Sequence, residues 1–202
     1  MTTSSATIWP TSRWEADDSL VVNRQDRLLH VTLCRTLALN AVDARMSSRL
    51  NALWHSVRDD PGVDAIVLSG AGAEAFCIGF DHASRPAVPI SPRECGVDKY
   101  LVVAVNGFAC REGLQLVRDA DVVVASAHAR FFEPPADGVL RESTRVACDI
   151  APTVRRPITA QQALEIGLVD HVVPLTSLQD TAARLASMPR PKKSTLRRKA
   201  VS

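Results

Sequence analysis

The 202 residues give room for one domain with a sizeable core, and 46% hydrophobic against 23% charged residues is a globular balance, neither disordered nor fibrous. With 24 basic and 22 acidic residues the net charge is +2, so bulk charge gives no reason to expect a nucleic acid or an anionic membrane as partner. The five cysteines (Cys34, Cys77, Cys95, Cys110, Cys148) are scattered without a C-x-x-C pair, which argues against a zinc ribbon or disulfide framework and fits a reducing compartment.

Residues 1–19 read as a leader, disordered or loosely packed. Met1 to Trp14 are Ser/Thr-rich, lack the apolar core of a secretory signal, and run directly into Glu15, Asp17 and Asp18. Leu20–Val22 and Leu28–Leu33 are expected strands. Asp43 offers an N-cap to a helix whose apolar stripe is Met46, Leu50, Leu53, Trp54 and Val57, and Asp60-Pro61-Gly62 ends it. The unbroken apolar run Ala65–Leu68 suits a strand covered on both faces, as in a parallel sheet.

Residues 85–92, with three prolines, read as a loop. Leu101–Val105 and Val122–Ala125 are two further buried strands, with a short helix expected over Gly113–Asp119 between them. Both runs are far too short to span a bilayer, so the expectation is a soluble, cytoplasmic protein with no membrane partner. Residues 134–157 carry no clear period. Thr159 and Gln162 then form a capping box, Gly167 sits where a helix terminates, and Leu168–Val173 is an expected strand. Ser177–Met188 is the last expected helix. One domain over residues 20–190 and a basic tail over 191–202 complete the division, within an α/β fold class.

Four segments in order resemble the crotonase (enoyl-CoA hydratase/isomerase) superfamily. They are Asn40-Ala41-Val42-Asp43, the stretch from Val63 to Asp81 containing Ser69-Gly70-Ala71-Gly72 and Ala75-Phe76-Cys77-Ile78-Gly79-Phe80-Asp81, the pair Val103–Ala109 with Asp121–Ser126, and Ile158–Pro174. The resemblance implies a spiral of ββα units with a mostly parallel sheet, here with the C-terminal helices truncated. It also implies an acyl-CoA thioester as substrate, coenzyme A being part of that substrate and no separate cofactor being needed.

In such chemistry negative charge gathers on the thioester oxygen, and two backbone N–H groups aimed there stabilise it; one donor is typically worth roughly 10²–10³ in rate. By resemblance the first donor is Phe80, and the second belongs to a triple-glycine turn that aligns with Arg111-Glu112-Gly113. The implied substrate-binding residues are Arg35, Leu37, Ala75, Ile78, Gly79, Asp81 and Gly113. Phe80 is also readable as a core aromatic, Asp81 as a local cap, and Arg35 as a solvated arginine.

The departures fall on the chemistry. Only Gly113 survives from the glycine turn, and Glu112 brings a carboxylate close to where an oxyanion would form. Two glutamates move protons in the hydratases; Gln115 stands at the first, and an amide exchanges no proton near neutral pH. The second aligns with Pro135. Glu133, Asp137 and Glu142 are the nearby acids that would have to substitute, since a general acid or base contributes about 10²–10⁴-fold.

Phe80, Glu112, Gln115, Glu133 and Asp137 are therefore the candidate catalytic residues. The expectation is an acyl-CoA protein of weak or non-standard activity, with a catalytically silent homologue serving as a binding or assembly subunit as the alternative. The resemblance implies a homo-trimer or a hetero-oligomer with another crotonase-fold subunit. Nucleic-acid binding by the tail is disfavoured because no aromatic residues interleave its basic ones.

Overall fold

Three apolar runs become the centre of a parallel sheet, with each face of every run covered. The computed structural model describes residues 19–81, 88–132 and 157–190. His82, Glu133, Asp137, Glu142, residues 1–18 and the tail from 191 lie outside them.

The larger sheet has six strands in the order β1-β2-β3-β5-β7-β10. They are β1 (Leu20–Gln25), β2 (Leu28–Leu33), β3 (Ala65–Gly70), β5 (Tyr100–Val105), β7 (Val122–Ser126) and β10 (His171–Val173). Only the edge pair β1–β2 is antiparallel, a hairpin closed through Asp26 at φ 53°. The other four pairings are parallel. A smaller sheet follows the order β4-β6-β8-β9, from β4 (Ala75–Cys77), β6 (Phe108–Cys110), β8 (Arg130–Phe132) and β9 (Ile158–Thr159). The α/β, mostly parallel expectation is met.

Alternation along the strands sorts the core into two sides. Ile66, Leu68, Leu101, Val103 and Val123 meet the stripe of α1 (Ala44–Arg58) and the small sheet's Phe76, Ala109 and Phe131. Ala65, Val67, Val102, Ala104 and Val124 meet Leu178, Ala182 and Ala186 of α4 (Leu178–Ala186). The expected α1 residues Met46, Leu50, Leu53, Trp54 and Val57 are all buried, and Asp43 Oδ1 accepts from the Met46 amide at 2.7 Å.

Two boundaries move for identifiable reasons. The expected strand Leu168–Val173 begins only at His171, because the amides of Leu168 and Val169 turn back to the Ala163 carbonyl at the end of α3 (Ala160–Glu165). Gly167, at φ +75°, makes that turn, and Thr159 with Gln162 forms the expected capping box. The helix expected from Gly113 starts one residue earlier as α2 (Glu112–Asp119).

Among the described residues no helix is long and apolar enough to cross a membrane.

Candidate active site

Asn40 and Asn106, each about 1% exposed, hold the turn that launches β4. The Asn40 side-chain amide donates to the carbonyls of Ala71 and Ala75, and that of Asn106 to Gly72 and Ala75, at 2.7–3.0 Å. Burial keeps water from competing for these carbonyls. Two polar residues of the sequence motifs therefore act as clamps on one loop.

Beyond β4, Gly79 at φ +101° reverses the chain direction, a conformation that L side chains rarely adopt. The Val42 amide then donates to the Gly79 carbonyl at 2.8 Å and the Asp81 amide to the Val42 carbonyl at 2.9 Å. In this parallel bridge the residue between the two bonded positions has its own N–H directed away from the bridge. That residue is Phe80, whose ring packs partly buried against the core.

The Phe80 N–H points at the start of α2. Glu112, the first residue of α2, returns its carboxylate to it, and Oε2 accepts at 3.0 Å. The contact is charge-assisted, and a carboxylate at a helix N-terminus gains from the helix dipole as well. The Glu112 amide lies in the first turn of α2, where N–H groups have no partner within the helix.

The two walls of this cradle leave no space for side chains. A Cβ at Gly79 would meet Arg111 Cβ at 2.8 Å, besides the Glu112 carboxylate. At Gly113 a Cβ would strike the Cys77 carbonyl, whose carbon is 2.9 Å away. Gly113 therefore lets α2 dock against the end of β4, bringing its first turn to Phe80.

Arg111 keeps a glycine-like backbone, with φ 51° and ψ −122°, despite its side chain. Holding a non-glycine residue there costs of order 1–3 kcal/mol. Arg111→Gly is expected to stabilise the fold by about 1 kcal/mol, after the greater freedom of glycine in the unfolded chain offsets part of the relief. Urea denaturation should show a higher midpoint; a lower one would mean that the arginine side chain contributes more than its backbone costs.

Gln115 is exposed, and its side-chain amide donates to Asp119 Oδ1 at 3.1 Å. Asp119 also accepts from the Ser91 hydroxyl, and burial raises its carboxyl above the ordinary range. Gln115 thus lies one turn into α2 and is tied to the next turn.

Arg35 is held by Asp43 Oδ2 and Asp81 Oδ2, each at 3.3 Å, and donates to the Ala41 carbonyl at 2.7 Å. The solvated-arginine reading of Arg35 gives way to this paired role, and Asp81 serves as its partner. Leu37, in the short 3-10 helix Thr36–Ala38, is 95% exposed beside them. Ala75 and Gly79 are buried; Ile78 is partly buried, and its carbonyl accepts from the Cys110 thiol at 3.2 Å.

Burial pushes the Cys77 thiol up to about 12 and raises Cys110 as well, so neither is a ready nucleophile beside the cradle. Among the described residues no cluster of three or more His, Cys, Asp or Glu is placed to hold a metal ion.

Phe80, Glu112 and Gly113 come together, with Gly79 behind them; Gln115 is on the same helix but turned to Asp119; Arg35, Leu37 and Asp81 form a separate corner. Glu133 and Asp137 lie outside the described residues. Sequence reasoning missed the clamps at Asn40 and Asn106, for which the one signal was that each stands within a motif segment.

The profile of the enoyl-CoA hydratase/isomerase family matches residues 28–85. A carnitinyl-CoA dehydratase of Salmonella arizonae is 33% identical over 193 residues, covering 84% of this chain and 73% of that protein. A short-chain-enoyl-CoA hydratase of Clostridium acetobutylicum is 28% identical over 194 residues, covering 84% and 74%. The crystal structure of an enoyl-CoA hydratase from Mycobacterium tuberculosis superposes with a TM-score of 0.71 at 30% identity, covering 90% of this chain and 86% of the other.

Proposed function

This chain belongs to the enoyl-CoA hydratase/isomerase family, within the crotonase superfamily, and from that premise we propose that it receives an acyl-CoA thioester in the cradle between Phe80 and α2. The observation that supports this is that the Phe80 amide is directed at the start of α2, where the Glu112 carboxylate accepts from it at 3.0 Å. An oxygen resting there accepts from the Phe80 N–H and lies beside the amide of Glu112. Both amides are held by the backbone, so with the Glu112 side chain displaced neither has to reorient as charge develops.

The Glu112 carboxylate opposes this when it stays in place. Two negative charges about 4 Å apart repel by roughly 4 kcal/mol at an effective dielectric of about 20. Turnover therefore requires Glu112 to swing away from Phe80. Once displaced, its carboxylate is the one acid among the described candidate catalytic residues, and it is able to exchange a proton near the thioester. Gln115 contributes hydrogen bonding only. Outside the described residues, Glu133, Asp137 and Glu142 are the acids near enough in sequence to take over proton transfer. The resulting reaction is a slow hydration, dehydration or isomerisation at the carbons next to the thioester.

A second reading, that of a silent binding homologue, draws on the side chains at α2. The first catalytic glutamate is a glutamine turned to Asp119, and the Phe80 donor is capped from within the chain. Assembly as a homo-trimer, or as a hetero-oligomer with another crotonase-fold subunit, belongs to this reading as well.

Thermal shift with acyl-CoA thioesters against free coenzyme A, paired with absorbance at the enoyl thioester band, tests both. Stabilisation by thioester with slow loss of the band supports the first reading. Stabilisation without any loss supports the second. Absence of stabilisation by every thioester tried would refute the first reading and leave the second only as an assembly subunit.

A further inference from the structure

We propose that Glu112 is an internal stopper, an autoinhibitory carboxylate that occupies the thioester-oxygen position and must be displaced before substrate is held. The inference rests on the thioester reading above and adds a regulation of that site. The contact is chemically a mimic: a carboxylate oxygen sits 3.0 Å from the N–H that an enolate oxygen would use.

A merely structural role is less suited to the geometry. The direction of the Phe80 amide is set by the flanking Val42 bonds to Gly79 and Asp81, which do not involve Glu112. Docking of α2 is set by Gly113 against Cys77. With Glu112 swung out, the donor stays aimed and the helix stays docked, so the cradle is preformed beneath the stopper. The Glu112 side chain is only partly buried, which leaves it room to move outward.

Competition of this kind lowers the apparent affinity by the fraction of molecules with the site open. If the contact is closed in about nine molecules of ten, removing it tightens thioester binding about tenfold. Free coenzyme A has no acyl carbonyl to place at Phe80, so its affinity should not change.

The test uses the full chain and its Glu112→Ala and Glu112→Gln variants, titrated calorimetrically with butyryl-CoA and with free coenzyme A. Hydrogen exchange at the Phe80 amide is followed in parallel without ligand. The proposal expects about tenfold tighter butyryl-CoA binding by E112A, an intermediate gain for E112Q, unchanged coenzyme A affinity, and faster exchange at Phe80 in E112A.

Equal butyryl-CoA affinities in all three proteins would overturn the stopper and leave the thioester reading intact. A parallel gain for free coenzyme A would also overturn it, because the effect would then lie away from the carbonyl. If none of the three binds butyryl-CoA, the thioester reading itself fails and the stopper with it. Should E112A fold poorly, a butyryl-CoA affinity of E112Q equal to that of the parent still overturns the proposal; should E112Q fold poorly, unchanged Phe80 exchange in E112A does so.

Discussion

Gly113→Ala is expected to destabilise the protein by about 3 kcal/mol or more and to abolish thioester binding with it. Helix propensity argues the other way: alanine in place of glycine favours a helix interior by about 1 kcal/mol. Steric exclusion is larger. The added methyl would drive into the Cys77 carbonyl and sit 2.9 Å from both the carbonyl carbon and Cys77 Cβ. That obstacle is strand backbone, paired to β6, and it cannot rotate aside as a flexible side chain would. Either α2 lifts from β4 or the small sheet distorts, and both move the first turn of α2 away from Phe80. Chemical denaturation measures the loss, and a variant as stable as the parent would show that the helix slides without consequence.

Asp121→Ala is expected to cost about 3 kcal/mol, for a different reason. The Asp121 side chain is 5% exposed and receives Arg93 at 2.6 Å, Arg190 at 3.0 Å and the Leu101 amide at 2.9 Å. Removing the carboxylate leaves a buried backbone N–H without its acceptor and two guanidinium groups without their shared anion. Arg93 keeps the carbonyls of Asp119, Val97 and Lys99, which limits the damage on that side. Arg190, just past α4, retains Asp98. The loss should persist at high salt, because a buried pair is little screened. A loss that disappears in salt would place Asp121 among the weak surface pairs instead.

Both substitutions act on features that a linear reading reveals unequally. The central strands were legible because Ala65–Leu68, Leu101–Val105 and Val122–Ala125 are unbroken apolar runs, a pattern produced by burial on both faces. The first helix was legible through its stripe and its Asp43 cap. The small sheet was not, since its strands have two or three residues each and are too short to carry a period.

At the site, the positions of Phe80, Glu112 and Gly113 were readable from the motifs, and so was the concern about a carboxylate near the oxyanion. What could not be read was the contact itself. It depends on Gly79 turning the chain, on the Val42 bridge aiming an amide, and on a side chain reaching across 32 positions in sequence. Likewise Arg35 was readable equally as a substrate-binding residue and as a solvated arginine, because its pairing with Asp81 spans 46 positions.

Whether a thioester carbonyl lodges at the Phe80 amide decides both the proposed function and the role of Glu112. Infrared spectroscopy of bound butyryl-CoA, labelled with carbon-13 at the carbonyl, reads the polarisation of that bond directly. Binding should shift the labelled stretch to lower wavenumber, and more so in E112A, where the donor is unopposed. A labelled band that stays at its frequency in buffer while the ligand is bound would contradict the account.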